Sequence, residues 1–150
     1  MRRWLLALTA LVLSFGGHVA DAQQPLTTVT VKITGFRGVE GLALITLYDS
    51  EQSWLKMPKA IQVVRAQLAG PELSVDFKDV KPGTYAVQVI HDENKNNKLD
   101  MRWLPWPKPL EGVGVSNDPD NKAGAPKWDD AKFDVGSAPL AIKVTVRYVE

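Results

Sequence analysis

The chain contains no cysteine, little histidine and no apolar run long enough to cross a membrane. The absence of cysteine excludes disulfides, thiol catalysis and zinc–thiolate sites, so an exported domain with this sequence must rely on its core for stability. The chain has 18 basic and 17 acidic residues and no basic patch, which argues against a nucleic-acid partner. These absences leave function classes that need neither a thiol nor a strong net charge.

The N-terminal region has the three parts of a secretory signal peptide. Two arginines follow the initiator methionine, residues 4–15 form an apolar run, and an Ala-Asp-Ala triplet ends at Ala22. The run is too short for a membrane anchor, which needs ~20 apolar residues. We expect residues 1–22 to be removed, leaving a mature chain that starts at Gln23, has no transmembrane segment, and is periplasmic or secreted.

Alternation of apolar and polar residues predicts strands along most of the mature chain, residues 23–150. Val29, Val31 and Ile33 alternate with polar residues, which is the period of a half-buried strand. Similar alternation, or a short apolar run, recurs in segments 41–48, 61–68, 73–77, 85–89, 113–115 and 142–148. Only residues 50–60 have the pattern of a helical turn, which Pro58 would end.

About seven short strands and no long helical period predict one all-β domain, an antiparallel β-sandwich with long polar loops. A closed barrel is the alternative. Segment 79–85 resembles the turn into a strand of transthyretin-like and collagen-adhesin B-type sandwiches, so immunoglobulin-like and transthyretin-like topologies both stay open. Residues 94–111 and 117–131 are rich in Asn, Asp, Pro, Gly and Trp, and loops of this length are usually functional or packed on themselves.

Residues 92–100 have the ligand spacing of an EF-hand calcium loop. Oxygen-bearing side chains occupy positions 1, 3, 5 and 9, and position 7 contributes only its backbone carbonyl: Asp92, Asn94, Asn96, Asp100 and, at position 7, Lys98. Position 6 is Asn97 instead of glycine, and asparagine tolerates the left-handed conformation better than most residues. Position 12 is Trp103 instead of the bidentate glutamate, so Glu93 or Glu111 would have to replace it. The sequence therefore predicts a weak calcium site, with a loop of self-bonded Asx turns as the alternative.

His91 is the single histidine of the mature chain. It continues the inward face of the strand at 85–89, which favours a hydrogen-bonded structural role. A catalytic role would need a nucleophile and an orienting acid. Asp92 and Glu93 are adjacent in sequence, but neighbouring strand residues point to opposite faces.

Two further groups of residues carry weaker signals. Trp103 and Trp106 lie among prolines and offer a surface for a glycan or a protein partner, although we expect them to fold back over the open end of the sandwich. Four loop acids resemble the paired carboxylates of glycoside hydrolases, but solvated loop acids are the default: Asp118, Asp120, Asp129 and Asp130.

Several motifs in order resemble a bacterial family of exported proteins, domain of unknown function 2141. They are the run 91–100, the segment 107–112 followed by Gly114, Ser116 and Asn117, then Pro126 with 130–133, and the preceding turn 82–86. The chain departs from the family pattern at Asn96–Asn97, where Asn-Gly is usual, and at 103–106, where the family has a Phe-Gly-Pro-like stretch. The resemblance implies export and a small β-sandwich, and it implies no activity.

Three function classes remain open from the sequence. The first is a non-enzymatic binding or interaction module with calcium as its cofactor and an unidentified protein partner. The second is a carbohydrate-binding module that uses Trp103 and Trp106. The third is a hydrolase that uses His91 and nearby carboxylates. The first is favoured because no catalytic constellation assembles from the sequence.

Overall fold

The computed structural model describes residues 25–120 and 124–149, so the predicted signal peptide lies outside the described residues. They form a three-stranded sheet, a five-stranded sheet and a two-stranded hairpin. The strands are β1 (Thr27–Thr34), β2 (Leu42–Tyr48), β3 (Gln62–Ala66), β4 (Glu72–Val80), β5 (Gly83–Asp92), β6 (Met101–Arg102), β7 (Lys108–Pro109), β8 (Gly112–Val115), β9 (Phe133–Val135) and β10 (Leu140–Thr145). The helical elements are a 3₁₀ turn (Met57–Lys59) and the short helix α1 (Trp128–Ala131). Within this part of the chain, no helix has the length and apolar character needed to span a bilayer.

The two larger sheets pack face to face as a sandwich. In the first, β1 lies between β10 and β4, and its residues Val29, Val31 and Ile33 are buried as their alternation predicts. These residues share one continuous core with apolar side chains of the second sheet, among them Ile45 of β2 and Val89 of β5. Burying a side chain of this size stabilises the fold by about 1.5–3 kcal/mol, so this shared apolar layer is what joins the sheets.

In the second sheet the strand order is β3-β2-β5-β8, with β9 paired to the start of β5. The central strands β2 and β5 are covered on both faces, which explains their nearly continuous apolar sequence. One face meets the first sheet. On the other, Tyr48 and Ala86 form a second cluster with Trp54 and Ala131 of α1.

The structure confirms the predicted all-β class, and the sheets do not close into a barrel. Each of the seven predicted strand segments overlaps an observed strand, and the 3₁₀ turn containing Pro58 lies in the segment predicted to be helical. One pairing departs from a purely antiparallel sandwich, since β1 and β10 run parallel. The predicted loops also contain structure of their own, namely the β6–β7 hairpin and α1.

Gly41, just before β2, lies against the backbone at the end of β5. Its φ is +82°, and a Cβ at this position would collide with the carbonyl oxygen of Asp92 and lie 2.6 Å from the Cα of Glu93. Only glycine lets the two backbones approach this closely. Asp92, the last residue of β5, is thereby held at one end of the sandwich, from which the loop 93–100 departs.

Candidate metal centre

The loop is wound around the buried carboxylate of Asp92. Its Oδ1 accepts the backbone N–H of Asn96 at 3.0 Å, and its Oδ2 accepts that of Asn97 at 2.7 Å. Asp92 has no exposed surface, and a buried carboxylate is tolerated only when such donors satisfy it. The carboxylate of Asp92, at position 1 of the predicted calcium loop, therefore holds the backbone of Asn96 and Asn97, at positions 5 and 6.

Asx turns shape the rest of the loop. The Oδ1 of Asn94 accepts the N–H of Asn96 at 3.0 Å, and the Oδ1 of Asn96 accepts the N–H of Lys98 at 3.1 Å. Asn97, at position 6, has φ of +61°, the left-handed conformation that the motif normally assigns to glycine. The winding predicted for a calcium loop and the alternative of self-bonded Asx turns are thus present together.

The side chains at positions 3, 5 and 9 converge. The amide groups of Asn94 and Asn96 both donate to Oδ2 of Asp100, at 2.6 and 2.9 Å. The side chains at these three positions therefore meet at one carboxylate oxygen of Asp100. Lys98, at position 7, is bonded to the same group through its N–H, which donates to Oδ1 of Asn96.

Glu111 reaches the loop from beyond the β6–β7 hairpin. Its Oε1 accepts the N–H of Glu93 and its Oε2 that of Asp100, both at 3.1 Å, so it links the two ends of the loop. The side chain is only 4% exposed. Burial raises the pKa of Glu111, and the charges of Asp92 and Asp100 raise it further, although the two N–H bonds oppose the shift. Of the two glutamates considered as replacements for position 12, Glu111 is the one whose carboxylate is bonded to the loop backbone.

Glu93 has a different partner. Arg37 holds its carboxylate with two hydrogen bonds, one from Nε at 2.8 Å and one from Nη2. The Arg37 guanidinium lowers the pKa of Glu93, and it lies 4.4 Å from the ring centroid of Tyr148. The Glu93 carboxylate is therefore held by Arg37, with its Oε1 3.9 Å from Nδ1 of His91, and it does not join the side chains that converge on Asp100.

The acids around the loop have little balancing positive charge. Among residues 25–120 and 124–149, neither Asp92 nor Glu111 forms an ion pair, and Asp100 lies 4.0 Å from the exposed ammonium group of Lys98. The same residues contain no cluster of three or more His, Cys, Asp or Glu side chains arranged to hold a metal. A cation here would need amide and carbonyl oxygens as well, which calcium accepts readily.

His91 lies at the base of the loop and is fully buried. Its Nδ1 is 2.6 Å from the Tyr148 hydroxyl, and its Nε2 is 2.7 Å from the carbonyl oxygen of Glu40. Phe36 packs edge-on against the ring. Both ring nitrogens are occupied and no surface is open to a substrate, which is the environment of a structural histidine. The hydrolase alternative finds no support at this residue.

The loop tryptophans do not cap the sandwich. Trp103 and Trp106 lie in the tryptophan hairpin, residues 101–109, where they are 68% and 74% exposed. The expectation that they fold back was wrong, because the hairpin pairs with itself through β6 and β7 and projects its turn outward. The turn also contains a cis peptide bond between Leu104 and Pro105.

The loop acids have structural contacts. Asp118 accepts the N–H and the hydroxyl of Thr145, both at 2.8 Å. Asp129, on α1, pairs with Lys132 at 2.7 Å. Asp118 thus connects its loop to β10, whereas Asp129 forms a local ion pair at the end of α1.

A family model described as "Uncharacterized protein conserved in bacteria (DUF2141)" matches residues 31–143, from within β1 to within β10. No curated protein and no solved structure matches the chain.

Proposed function

The chain belongs to this DUF2141 family of bacterial proteins, and we propose that it is an exported, non-enzymatic binding module whose loop 92–100 binds calcium. Export rests on the signal-peptide pattern of residues 1–22 and would make the mature chain periplasmic or secreted. The absence of catalysis rests on His91, which is buried with both nitrogens occupied. The binding surface of the module is the tryptophan hairpin.

The observation that carries the calcium proposal is the convergence of the Asn94, Asn96 and Asp100 side chains on a loop whose backbone is held by two buried carboxylates. Asp92 and Glu111 are buried, and Asp100 stands between the amides of positions 3 and 5. The charges of Asp92 and Asp100 raise the pKa of Glu111, and such repulsion is stronger in a partly desolvated site than in water. A divalent cation would turn that repulsion into attraction.

The loop offers calcium enough oxygens. Candidate ligands are the side chains of Asp92, Asn94, Asn96, Asp100 and Glu111, with the carbonyl of Lys98. The amide groups of Asn94 and Asn96 now direct their nitrogens toward Asp100. Rotation of each amide would bring its oxygen inward and give up the Asx-turn bond that this oxygen now accepts. A bound cation would favour that rotamer because the amide oxygen carries the ligating lone pairs.

Binding should be weak and selective. Glu111 already accepts two backbone N–H groups, so it cannot act as freely as the bidentate glutamate of a full EF-hand. We expect a dissociation constant near that of extracellular calcium modules, about 10⁻⁴–10⁻³ M. Magnesium should bind far less well, since it demands a regular octahedron and releases its waters reluctantly.

Thermal melting in EGTA and in calcium tests the proposal. At a calcium concentration roughly 10 to 100 times the dissociation constant, binding to the folded state adds about 1.4–2.7 kcal/mol, which raises the melting temperature by several degrees. Asp100→Asn should abolish the calcium shift, because it removes a charge while keeping the size of the side chain. The matched control is Asp79→Asn, an exposed aspartate at the end of β4 with φ of +56°, which should keep the full shift. No calcium shift in the wild type, or equal shifts in both variants, would contradict the proposal.

A further inference from the structure

The tip of the tryptophan hairpin is the most exposed apolar feature of the described residues. Trp103, Leu104 and Trp106 are 68%, 80% and 74% exposed, more than any other large apolar side chain of residues 25–120 and 124–149. They fall within four consecutive positions, so their exposure is contiguous. Soluble domains rarely leave such a group exposed unless it meets a partner.

The base of the hairpin holds this tip away from the sandwich. Met101 pairs with Pro109, and the N–H of Leu110 donates to the carbonyl of Asp100 at 2.9 Å. The N–H of Asp100 in turn donates to Glu111. The apolar turn is therefore presented on a paired stem whose base is bonded to the loop.

The charge of the hairpin is of one sign. Residues 101–109 contain two cations, Arg102 and Lys108, and no carboxylate. The two cations are directly opposite each other across the strand pair, an arrangement that destabilises an isolated hairpin. An anionic partner at the stem would relieve this repulsion.

We propose that the tryptophan hairpin docks on an anionic phospholipid bilayer, with its apolar tip in the interface and its two cations against the headgroups. Indole rings favour the interface between acyl chains and water, and an aliphatic tip favours the region below it. Cations beside the membrane add attraction to anionic lipids. This names the partner of the proposed binding module, but it does not depend on calcium binding by the loop.

A bilayer fits the tip better than a glycan does. Sugar recognition combines stacking on a ring with hydrogen bonds to several hydroxyls. Residues 103–107 are Trp, Leu, Pro, Trp and Pro, so the indole N–H groups are the polar side-chain atoms available there. Leu104, which is more exposed than either tryptophan, has no polar side-chain atom to offer a sugar, whereas insertion in lipid would bury it.

Vesicle co-sedimentation in EGTA, with tryptophan emission as a second readout, tests the proposal. The purified protein should bind vesicles of phosphatidylglycerol and phosphatidylethanolamine with a blue shift in emission, and it should bind phosphatidylcholine vesicles much less. Leu104→Ser should weaken binding roughly tenfold or more, because one large apolar side chain no longer enters the bilayer. The double variant Arg102→Gln/Lys108→Gln should lose the preference for anionic lipid and the sensitivity to salt.

Leu26→Ser is the matched control. Leu26 is an exposed leucine that precedes β1. The start of β1 pairs with the end of β4, so Leu26 lies at the end of the sandwich opposite to the hairpin. The Leu26→Ser variant should bind vesicles like the wild type. Leu26→Ser and Leu104→Ser should both melt like the wild type, because both leucine side chains are exposed. Absence of wild-type binding, or equal binding by the two leucine variants, overturns the proposal. Binding to a glycan array with no vesicle binding also overturns it and assigns the rings to a glycan. Because EGTA is present throughout, failure of the calcium loop cannot produce any of these results.

Discussion

Replacing Gly41 by alanine should both destabilise the fold and disturb the calcium loop. A non-glycine residue at a positive φ costs about 1–2 kcal/mol. The added Cβ would also collide with backbone atoms of Asp92 and Glu93, which no side-chain rotation can relieve, and overpacking of this kind costs about 1–3 kcal/mol more. The expected total, about 2–5 kcal/mol, is a large part of the 5–15 kcal/mol that stabilises a typical domain.

Gly124→Ala separates the two causes. Gly124 has φ of +121°, but a Cβ there would meet nothing within 4 Å, so its variant carries the conformational cost alone. Urea unfolding in EGTA measures both variants, and melting in calcium then shows whether Gly41→Ala has also lost the ligand-induced shift. If the two alanine variants lose the same free energy of unfolding, the close approach of Gly41 to Asp92 does not hold the loop in place.

The remaining predictions concern protonation, the buried histidine and export. In EGTA, the free energy of unfolding should fall as pH rises above about 4.5, because the raised pKa of Glu111 makes the folded state keep this proton to a higher pH than the unfolded state does. Urea midpoints measured against pH should show this slope, and Glu111→Gln should remove it. Below a pH of about 4.5 the free energy of unfolding should fall again as acid protonates Glu93, because the pKa of Glu93 is lower in the folded state than in the unfolded state. Glu93→Gln should flatten the acid side of the curve of urea midpoint against pH. His91→Gln should lose about 1–3 kcal/mol of unfolding free energy, since a buried partner is left unbonded; full stability in urea would refute the structural role. Intact-mass analysis of the exported protein should find a chain that begins at Gln23, and a full-length membrane-bound product would exclude the signal.

The strands could be predicted because their burial is periodic. Val29, Val31 and Ile33 face the core from one side of β1, and this repeats at intervals of two in the sequence. The winding of the loop was also predictable, since Asn97 takes the left-handed conformation at position 6. Both are local properties that neighbouring residues determine.

The contacts that complete the site are not local. Glu111 lies beyond the hairpin, and only the pairing of β6 with β7 returns it to the loop. The sequence did not predict this pairing, because a segment rich in tryptophan and proline is typical of a loop that packs on itself. Trp103 was therefore expected to be buried against the open end of the sandwich. The parallel pairing of β1 with β10 joins the two ends of the domain and leaves no signal in either strand. The Arg37–Glu93 pair likewise joins distant segments.

A calcium titration followed by amide NMR tests the central claim most directly. Calcium should shift the backbone amides of Asn96, Asn97 and Asp100 and the side-chain amides of Asn94 and Asn96 along one saturable curve, with a midpoint of about 10⁻⁴–10⁻³ M. Magnesium at the same concentration should shift them little. The absence of saturable shifts, or shifts spread equally over surface acids elsewhere in the domain, would show that the loop is a network of Asx turns that binds no calcium.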